Sequence, residues 1–208
     1  MYERILRNRV VAIFRNLPLT DLIPAAEALC DAGVKSLEVT ANSLDWTQGI
    51  RRLRTHFGSE IAVGAGTILD PETAAVAADA GAEFLLTPNT DERVLLYCAQ
   101  NEIALVPGVM TPSDVGLCLR YGYGLMKLFP AGILPEEYIK QLKGPFGQSN
   151  YIAVGGVTKE NARQFIDAGF VGLGMGSSLL RKELIAEKDW QGLKYETLAL
   201  INDVNYLH

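Results

Sequence analysis

The chain has 208 residues, of which 49% are hydrophobic and 21% are charged, and its formal net charge is −5. This composition excludes a disordered polypeptide, and the apolar runs are too short to cross a bilayer. Because no basic cluster could follow a phosphate backbone, we expect neither nucleic acid nor a membrane as a partner.

The N-terminal segment and the cysteines indicate a cytoplasmic protein without a metal site. The first nine residues are charged, but no apolar region and small-residue cleavage site follow them. Cys30, Cys98 and Cys118 are odd in number and lie in apolar stretches, which predicts buried thiols rather than disulfides or metal ligands. With His56 and His208 as the only histidines, a histidine-rich metal centre is excluded as well.

Eight short apolar runs, each beginning about 19 to 26 residues after the one before, alternate with helical patterns. This rhythm predicts an α/β fold, a (β/α)₈ TIM barrel in one compact domain over residues 1–208, with a C-terminal helix from about Trp190 to Val204. An open doubly wound sheet is the alternative, but eight evenly spaced strands favour closure. The predicted strands are Val10–Arg15, Ser36–Ala41, Ile61–Gly66, Phe84–Asn89, Ile103–Val109, Leu125–Ala131, Tyr151–Val157 and Gly172–Ser177.

Local signals mark the ends of these elements. Asp70 and Thr158 stand where a helix N-cap is expected. Pro88, Pro107 and Pro130 are predicted to end the fourth, fifth and sixth strands, where the loss of an N–H is tolerated.

Two charged residues lie on strand faces that point into the predicted barrel, whose active site belongs at the carboxyl ends of the strands. In the second strand, Leu37 and Val39 alternate with Glu38, so the Glu38 carboxylate faces the axis. In the sixth strand, Lys127 shares a face with Leu125. A lone ammonium in such surroundings is costly unless it is paired or neutral.

Two interpretations of Lys127 and Glu38 remain open. They form a buried structural ion pair in the first, although a hydrophobic replacement of such a pair often serves as well. In the second, a desolvated Lys127 of lowered pKa attacks a carbonyl, and Glu38 handles the protons. Schiff-base chemistry needs both groups.

Glycine-rich ends of the seventh and eighth strands predict a phosphate site. Gly155 and Gly156 precede the Thr158 cap, and Gly176 and Ser177 precede another predicted helix start. Backbone N–H groups at neighbouring helix starts can hold a phosphate dianion, and barrels often bind phosphate after these two strands. A tight turn is the alternative for each glycine pair alone.

Two further candidates lie at other strand ends. Thr67 follows the small residues Gly64-Ala65-Gly66, which permit either close approach of a ligand or a tight turn. Arg15 could bind a carboxylate or a phosphate, and a solvated loop arginine is the alternative.

Six motifs follow one another along nearly the whole chain and together resemble the class I aldolase family of 2-keto-3-deoxy-6-phosphogluconate aldolase. The motifs are Leu37-Glu38-Val39-Thr40, Gly64-Ala65-Gly66-Thr67, Pro107-Gly108-Val109-Met110-Thr111-Pro112, Lys127-Leu128-Phe129-Pro130, Lys143-Gly144-Pro145-Phe146 and Gly155-Gly156-Val157.

The resemblance implies a role for each candidate residue. It implies that Lys127 is the Schiff-base lysine and Glu38 the general acid/base, in a homotrimer that needs no metal or cofactor. It implies that the keto acid is lined by Arg15, Thr67, Pro88 and Phe129. It also implies that the phosphate is held by Gly155, Gly156, Gly176 and Ser177.

Three positions depart from the family pattern. Asn42 stands where gluconate enzymes often have Arg, and Val154 stands where they have Thr. Both look like the 6-phosphogalactonate branch, whose substrate differs in configuration at C4. Leu134 replaces a glycine that family members often carry after the sixth strand, which affects the predicted loop shape.

The implied reaction is reversible cleavage of a 2-keto-3-deoxy-6-phospho sugar acid, of galactonate or gluconate type, to pyruvate and D-glyceraldehyde 3-phosphate. Two alternatives remain. Another phosphate-binding lyase or decarboxylase of this fold should need acidic metal ligands at several strand ends, where only Glu38 is found. A non-catalytic sugar-phosphate-binding barrel needs no lysine in an apolar strand.

Overall fold

The structure is a computed structural model that describes residues 2–206, and in them nine parallel strands form one sheet. Seven of the predicted runs each overlap one strand, and the run from 103 to 109 contains two. The strands are β1 Val10–Phe14, β2 Ser36–Thr40, β3 Ala62–Gly66, β4 Phe84–Leu86, β5 Leu105–Val106, β6 Gly108–Val109, β7 Leu125–Leu128, β8 Asn150–Val154 and β9 Gly172–Met175.

The two ends of the sheet meet at Pro107. The strand order is β5-β4-β3-β2-β1-β9-β8-β7-β6, so β5 pairs with β4 and β6 pairs with β7. The prediction that Pro107 ends the fifth strand is therefore wrong. Pro107 divides the fifth barrel strand into β5 and β6. It has no N–H to donate, but its carbonyl accepts a 2.8 Å hydrogen bond from the Lys127 N–H. The chain thus bridges the sheet edges, which confirms the TIM-barrel prediction and excludes the open sheet.

Helices alternate with the strands on the outside of the barrel. Their bounds are α1 Tyr2–Ile5, α2 Leu19–Asp31, α3 Trp46–Phe57, α4 Pro71–Asp79, α5 Glu92–Gln100, α6 Pro112–Arg120, α7 Glu137–Lys143, α8 Ala162–Asp167, α9 Lys182–Ala186 and α10 Trp190–Asn205, with a short 3₁₀ turn at Ala131–Ile133. The predicted C-terminal helix is present as α10.

One of the two predicted N-caps is confirmed. The Asp70 side chain accepts a 2.6 Å hydrogen bond from the Thr73 N–H at the start of α4. Thr158 is not a cap, because α8 begins later, at Ala162, and the Asn161 side chain accepts from the Thr158 N–H. After β9 the chain likewise makes one turn before α9 begins at Lys182.

The period of two along the strands separates two cores, as predicted. Leu37, Val39, Met126 and Leu128 pack between the sheet and the helices. A smaller cluster fills the barrel and is composed of Ile5, Val11, Ile13, Ala62, Phe84, Leu86, Val106, Leu125, Ile152 and Val154.

The short helix α1 covers the amino end of the barrel. Ile5 is fully buried in the inner cluster, and its carbonyl accepts from the Ser36 hydroxyl. Arg4 pairs with Glu83, which also pairs with Arg54. The apolar packing of Ile5 therefore closes this end of the barrel, and the ion pair with Glu83 holds α1 in place.

The cysteines are free thiols, and Cys98 and Cys118 are buried as predicted, whereas Cys30 is half-buried. Burial raises the pKa of Cys98 and of Cys118 to about 11. Among residues 2–206, no three His, Cys, Asp or Glu side chains form a group that could hold a metal ion, and His208 lies outside the described residues. No helix in this range has the length and apolar character needed to span a membrane.

Gly64 makes room for an aromatic ring inside the barrel, which gives a stability prediction. A Cβ at Gly64 would lie 2.5 Å from the Phe84 ring, so Gly64→Ala should lower the free energy of unfolding by about 1–3 kcal/mol through overpacking. Gly116 on α6 is the control, because a Cβ there meets nothing within 4 Å. Gly116→Ala should raise that free energy by up to about 1 kcal/mol. Urea denaturation measures both; a Gly64→Ala protein as stable as the parent would contradict the packing argument.

Candidate active site

Lys127 and Glu38 project into the barrel from strands that face each other across its axis. Glu38 lies on β2 and Lys127 on β7, four positions apart in the strand order. Glu38 is 1% exposed and Lys127 is 5% exposed. The Lys127 Nζ lies 5.0 Å from the centroid of the Phe129 ring, close enough for a cation–π contact.

Burial shifts the pKa of each group in the direction that favours the neutral form of the side chain. It raises the pKa of Glu38, against the opposing charges of Lys127 and Arg15. It lowers the pKa of Lys127; the Glu38 charge raises that pKa, and the Arg15 charge lowers it further. Arg15 directly follows β1, so three ionisable side chains influence one another at the carboxyl end of the barrel.

The two buried groups are not joined by a structural ion pair. No contact within 4.0 Å links the Lys127 Nζ to a carboxylate oxygen of the described residues, and the Glu38 Oε2 has no hydrogen-bond partner among them. An unpartnered buried carboxylate oxygen is rare and costly. The geometry therefore favours the chemical interpretation of the pair over the structural one.

Gly66 provides the space that the Glu38 carboxylate occupies. The two residues lie on neighbouring strands but are not register partners, since Glu38 pairs with Gly64 and Gly66 pairs with Thr40, two residues further along each strand. A Cβ at Gly66 would lie 1.6 Å from the Glu38 Oε1. The small residues of β3 thus accommodate protein side chains, Phe84 and Glu38, rather than only allowing a ligand to approach.

A cleft of about 930 Å³ lies at the carboxyl ends of β1, β8 and β9. Its walls include seven of the residues proposed from the sequence, namely Arg15, Phe129, Val154, Gly155, Gly156, Gly176 and Ser177. Lys127, Glu38, Thr67 and Pro88 do not line it. Lys127 and Glu38 lie in the barrel interior, while Thr67 and Pro88 follow β3 and β4 on another side of the mouth.

The two glycine-rich turns are held together as one wall of the cleft. The Ser178 hydroxyl donates a 2.7 Å hydrogen bond to the Val157 carbonyl, which ties the turn after β9 to the turn after β8. Gly155 and Gly156 adopt φ of +84° and +75°, the left-handed region that favours glycine. On the far side, the Gly132 N–H donates to the Gly155 carbonyl, and a Cβ on Gly132 would lie 2.7 Å from the Gly156 Cα.

Thr67 adopts an unusual backbone conformation. Its φ of 61° is a true outlier for a β-branched residue. Strain of this kind costs of the order of 1–3 kcal/mol and tends to occur at functional sites. The conformation is consistent with a functional position at the end of β3, although the cleft itself does not include this residue.

Several residues of the site were missed in the sequence. Gly132 and Asn161 shape the Gly155-Gly156 turn, and the Asn161 amide donates to the Gly156 carbonyl. The close Gly132–Gly156 approach links loops far apart in the chain and has no local signal. Asn161 has none either, because its side chain makes no cap hydrogen bond to α8 and instead accepts from the Thr158 N–H. Leu134 has a φ of −93°, so that position does not need a glycine.

The comparisons with known proteins agree with this geometry. The family model for KDPG and KHG aldolases matches residues 1–195. The 2-dehydro-3-deoxy-6-phosphogalactonate aldolase of Escherichia coli (strain K12) is 33% identical over 183 residues, 88% of this chain and 89% of the relative. The 2-dehydro-3-deoxy-phosphogluconate aldolase of Pseudomonas aeruginosa is 35% identical over 174 residues, covering 82% and 77%.

A solved structure of KDPG aldolase from Legionella pneumophila, with pyruvate captured as a covalent carbinolamine intermediate, superposes with a TM-score of 0.87. It is 28% identical, and the match covers 94% of this chain and 96% of that one. Fold, family model and relatives of more than 30% identity all agree: the chain belongs to the KDPG and KHG aldolase family.

Proposed function

We propose that this protein is a class I aldolase that reversibly cleaves a 2-keto-3-deoxy-6-phospho sugar acid, of galactonate or gluconate type, to pyruvate and D-glyceraldehyde 3-phosphate. The observation that carries the proposal is a lysine of lowered pKa, buried in a barrel with a carboxylate that forms no ion pair with it. The relatives named for this reaction support it.

Lys127 acts first, as the nucleophile. Its neutral amine attacks the C2 carbonyl of the substrate to form a carbinolamine, and loss of water gives an iminium. The lowered pKa raises the fraction of neutral amine at a given pH. The carbinolamine of the Legionella relative is the species that this step would form with pyruvate.

Glu38 carries the protons. As a carboxylate it removes the proton of the C4 hydroxyl while the C3–C4 bond breaks, and the bonding pair moves into the iminium to give an enamine. The aldehyde leaves, C3 of the enamine takes up a proton, and hydrolysis of the imine releases pyruvate and the free amine. Burial raises the pKa of the Glu38 carboxyl, which makes its carboxylate a stronger base in this transfer.

We assign the ends of the substrate to different parts of the site. The keto acid end contacts Arg15, Thr67, Pro88 and Phe129, with the Arg15 guanidinium suited to the carboxylate. The phosphate end lies against Gly155, Gly156, Gly176 and Ser177. Backbone N–H groups of glycine turns can approach a phosphate closely because no Cβ intervenes.

Domain organisation, assembly and location are part of the same proposal. We propose a single domain over residues 1–208 that assembles as a homotrimer in the cytoplasm. The support for the trimer is the family resemblance together with exposed apolar side chains on loops at the carboxyl end of the barrel, namely Leu44, Leu69, Met110 and Ile133.

The imine itself gives the decisive experiment. Pyruvate with borohydride should leave a reduced adduct on Lys127, located by peptide mass spectrometry, and Lys127→Met should abolish it. Lys140→Met is the control, because Lys140 is exposed on α7 and should not affect labelling. Absence of an adduct on the parent protein, or an adduct on Lys140 or Lys143, would refute the mechanism.

Opposite charges near Lys127 predict opposite pH shifts. The imine forms from the neutral amine, so its rate of formation should rise with pH through the pKa of Lys127. Since the Glu38 charge raises that pKa, Glu38→Gln should move the midpoint to lower pH. Since the Arg15 charge lowers it, Arg15→Met should move the midpoint to higher pH. The measurement is the pH dependence of cyanoborohydride trapping with pyruvate; shifts of both variants in the same direction would rule out this electrostatic account.

Val154 predicts the preferred epimer. It is 4% exposed and lines the cleft, and it offers a substrate hydroxyl a methyl group where Thr would offer a hydroxyl. An unpaired hydroxyl costs about 1–3 kcal/mol, or roughly ten- to a hundredfold in kcat/KM. We expect kcat/KM for the galactonate-derived substrate at least comparable with that for the gluconate-derived one. Val154→Thr should shift the ratio toward gluconate, and Val154→Ala, which adds no hydroxyl, should not. A parent protein with a strong gluconate preference would refute the branch assignment.

A further inference from the structure

The outer wall of the cleft is formed by the segment 180–188, which contains the short helix α9. Leu180, Ile185 and Ala186 supply apolar surface, and Lys182 and Lys188 supply two ammonium groups. None of these residues was singled out in the sequence, because an exposed lysine in a short helix carries no distinctive pattern.

The cleft is cationic in a protein that is acidic. Arg15, Lys182 and Lys188 line it together with a single carboxylate, Asp21, whereas the whole chain carries a formal net charge of −5. Arg15 is exposed at the end of β1, and its charge affects the pKa values of both Glu38 and Lys127. The lysines belong to the outer wall, so positive charge extends from the end of β1 to the outside of the cleft.

The two lysines differ in their partners. Lys188 lies 4.0 Å from Asp21 of α2, an ion pair that joins the outer wall to the first turn of α2. Lys182 makes no hydrogen bond or ion pair with any residue in the range 2–206. The wall itself is fixed at its start, where Arg181 pairs with Glu196 of α10 at 3.0 Å.

We propose that Lys182 and Lys188 are specificity-determining residues that select phosphorylated substrates by supplying the positive charge that the glycine turns lack. The inference deepens the proposed function and rests on it for the identity of the substrate. Peptide N–H groups can hold phosphate oxygens but bring no net charge, whereas a phosphate monoester is close to a dianion at neutral pH. Asp21 holds Lys188 at the cleft and partly offsets its charge.

The test is the equilibrium affinity for glycerol 3-phosphate, a phosphate monoester that cannot form an imine, measured by calorimetry at low ionic strength. Lys182→Met and Lys188→Met should each weaken binding about two- to fivefold, the usual scale for exposed charge pairs. Asp21→Asn should tighten binding by a similar factor. In about 1 M salt these differences should shrink, because screening is then effective over about 3 Å.

Lys140→Met is the matched control, since it removes the same charge from an exposed helix that does not line the cleft. An equal loss of affinity in Lys140→Met, an unchanged affinity in both cleft variants, or no binding by the parent protein would overturn the inference. Urea denaturation of each variant verifies that the fold is retained. Failure of the proposed function shows separately, as the absence of a borohydride adduct on Lys127.

Discussion

Two opposite charges buried on facing strands, without a contact between them, set the constraint on which the rest of the structure depends. Direct pairing of Lys127 with Glu38 would satisfy both groups and leave neither reactive. Burial raises the pKa of Glu38 and lowers the pKa of Lys127, and the charge of each group opposes the shift of the other. The surrounding barrel must therefore hold two long polar side chains in place without neutralising them. Gly66 and the Phe129 ring perform this task, the first by leaving space and the second by offering a weak cation–π contact.

The sequence predicted those parts of the fold that depend on local periodicity. Strand spacing predicted the barrel, and alternation along Leu37-Glu38-Val39 and around Lys127 correctly separated the outer core from the inner one. Proline chemistry alone could not show that Pro107 divides a strand, because that outcome depends on which neighbour each half of the strand meets. The late starts of α8 and α9 were missed for a related reason: a turn before a helix and the first turn of a helix look alike in sequence.

The candidate site was predicted unevenly, and the differences have physical causes. Residues that end strands, such as Arg15, could be proposed because topology places all carboxyl ends at one face, whereas Val154 was proposed only from the family resemblance. The contact of Gly132 with Gly156, the Ser178–Val157 hydrogen bond and the lysines of the outer wall arise only when separate loops fold against one another. The tertiary contacts thus determine the depth and charge of the cleft, whereas the sequence pattern determines which groups can react.

The seal made by α1 has a consequence for catalysis at the other end of the barrel. Ile5 fills the axis beneath the reactive groups, and Arg4 and Glu83 fasten the helix over the opening. The barrel interior is thus closed at its amino end and accessible from its carboxyl end. In the reaction proposed above, water and protons would reach Lys127 from the carboxyl end, the side from which the substrate enters. In the proposed reaction, a bound aldehyde product would therefore restrict the access of water to the imine until it has left.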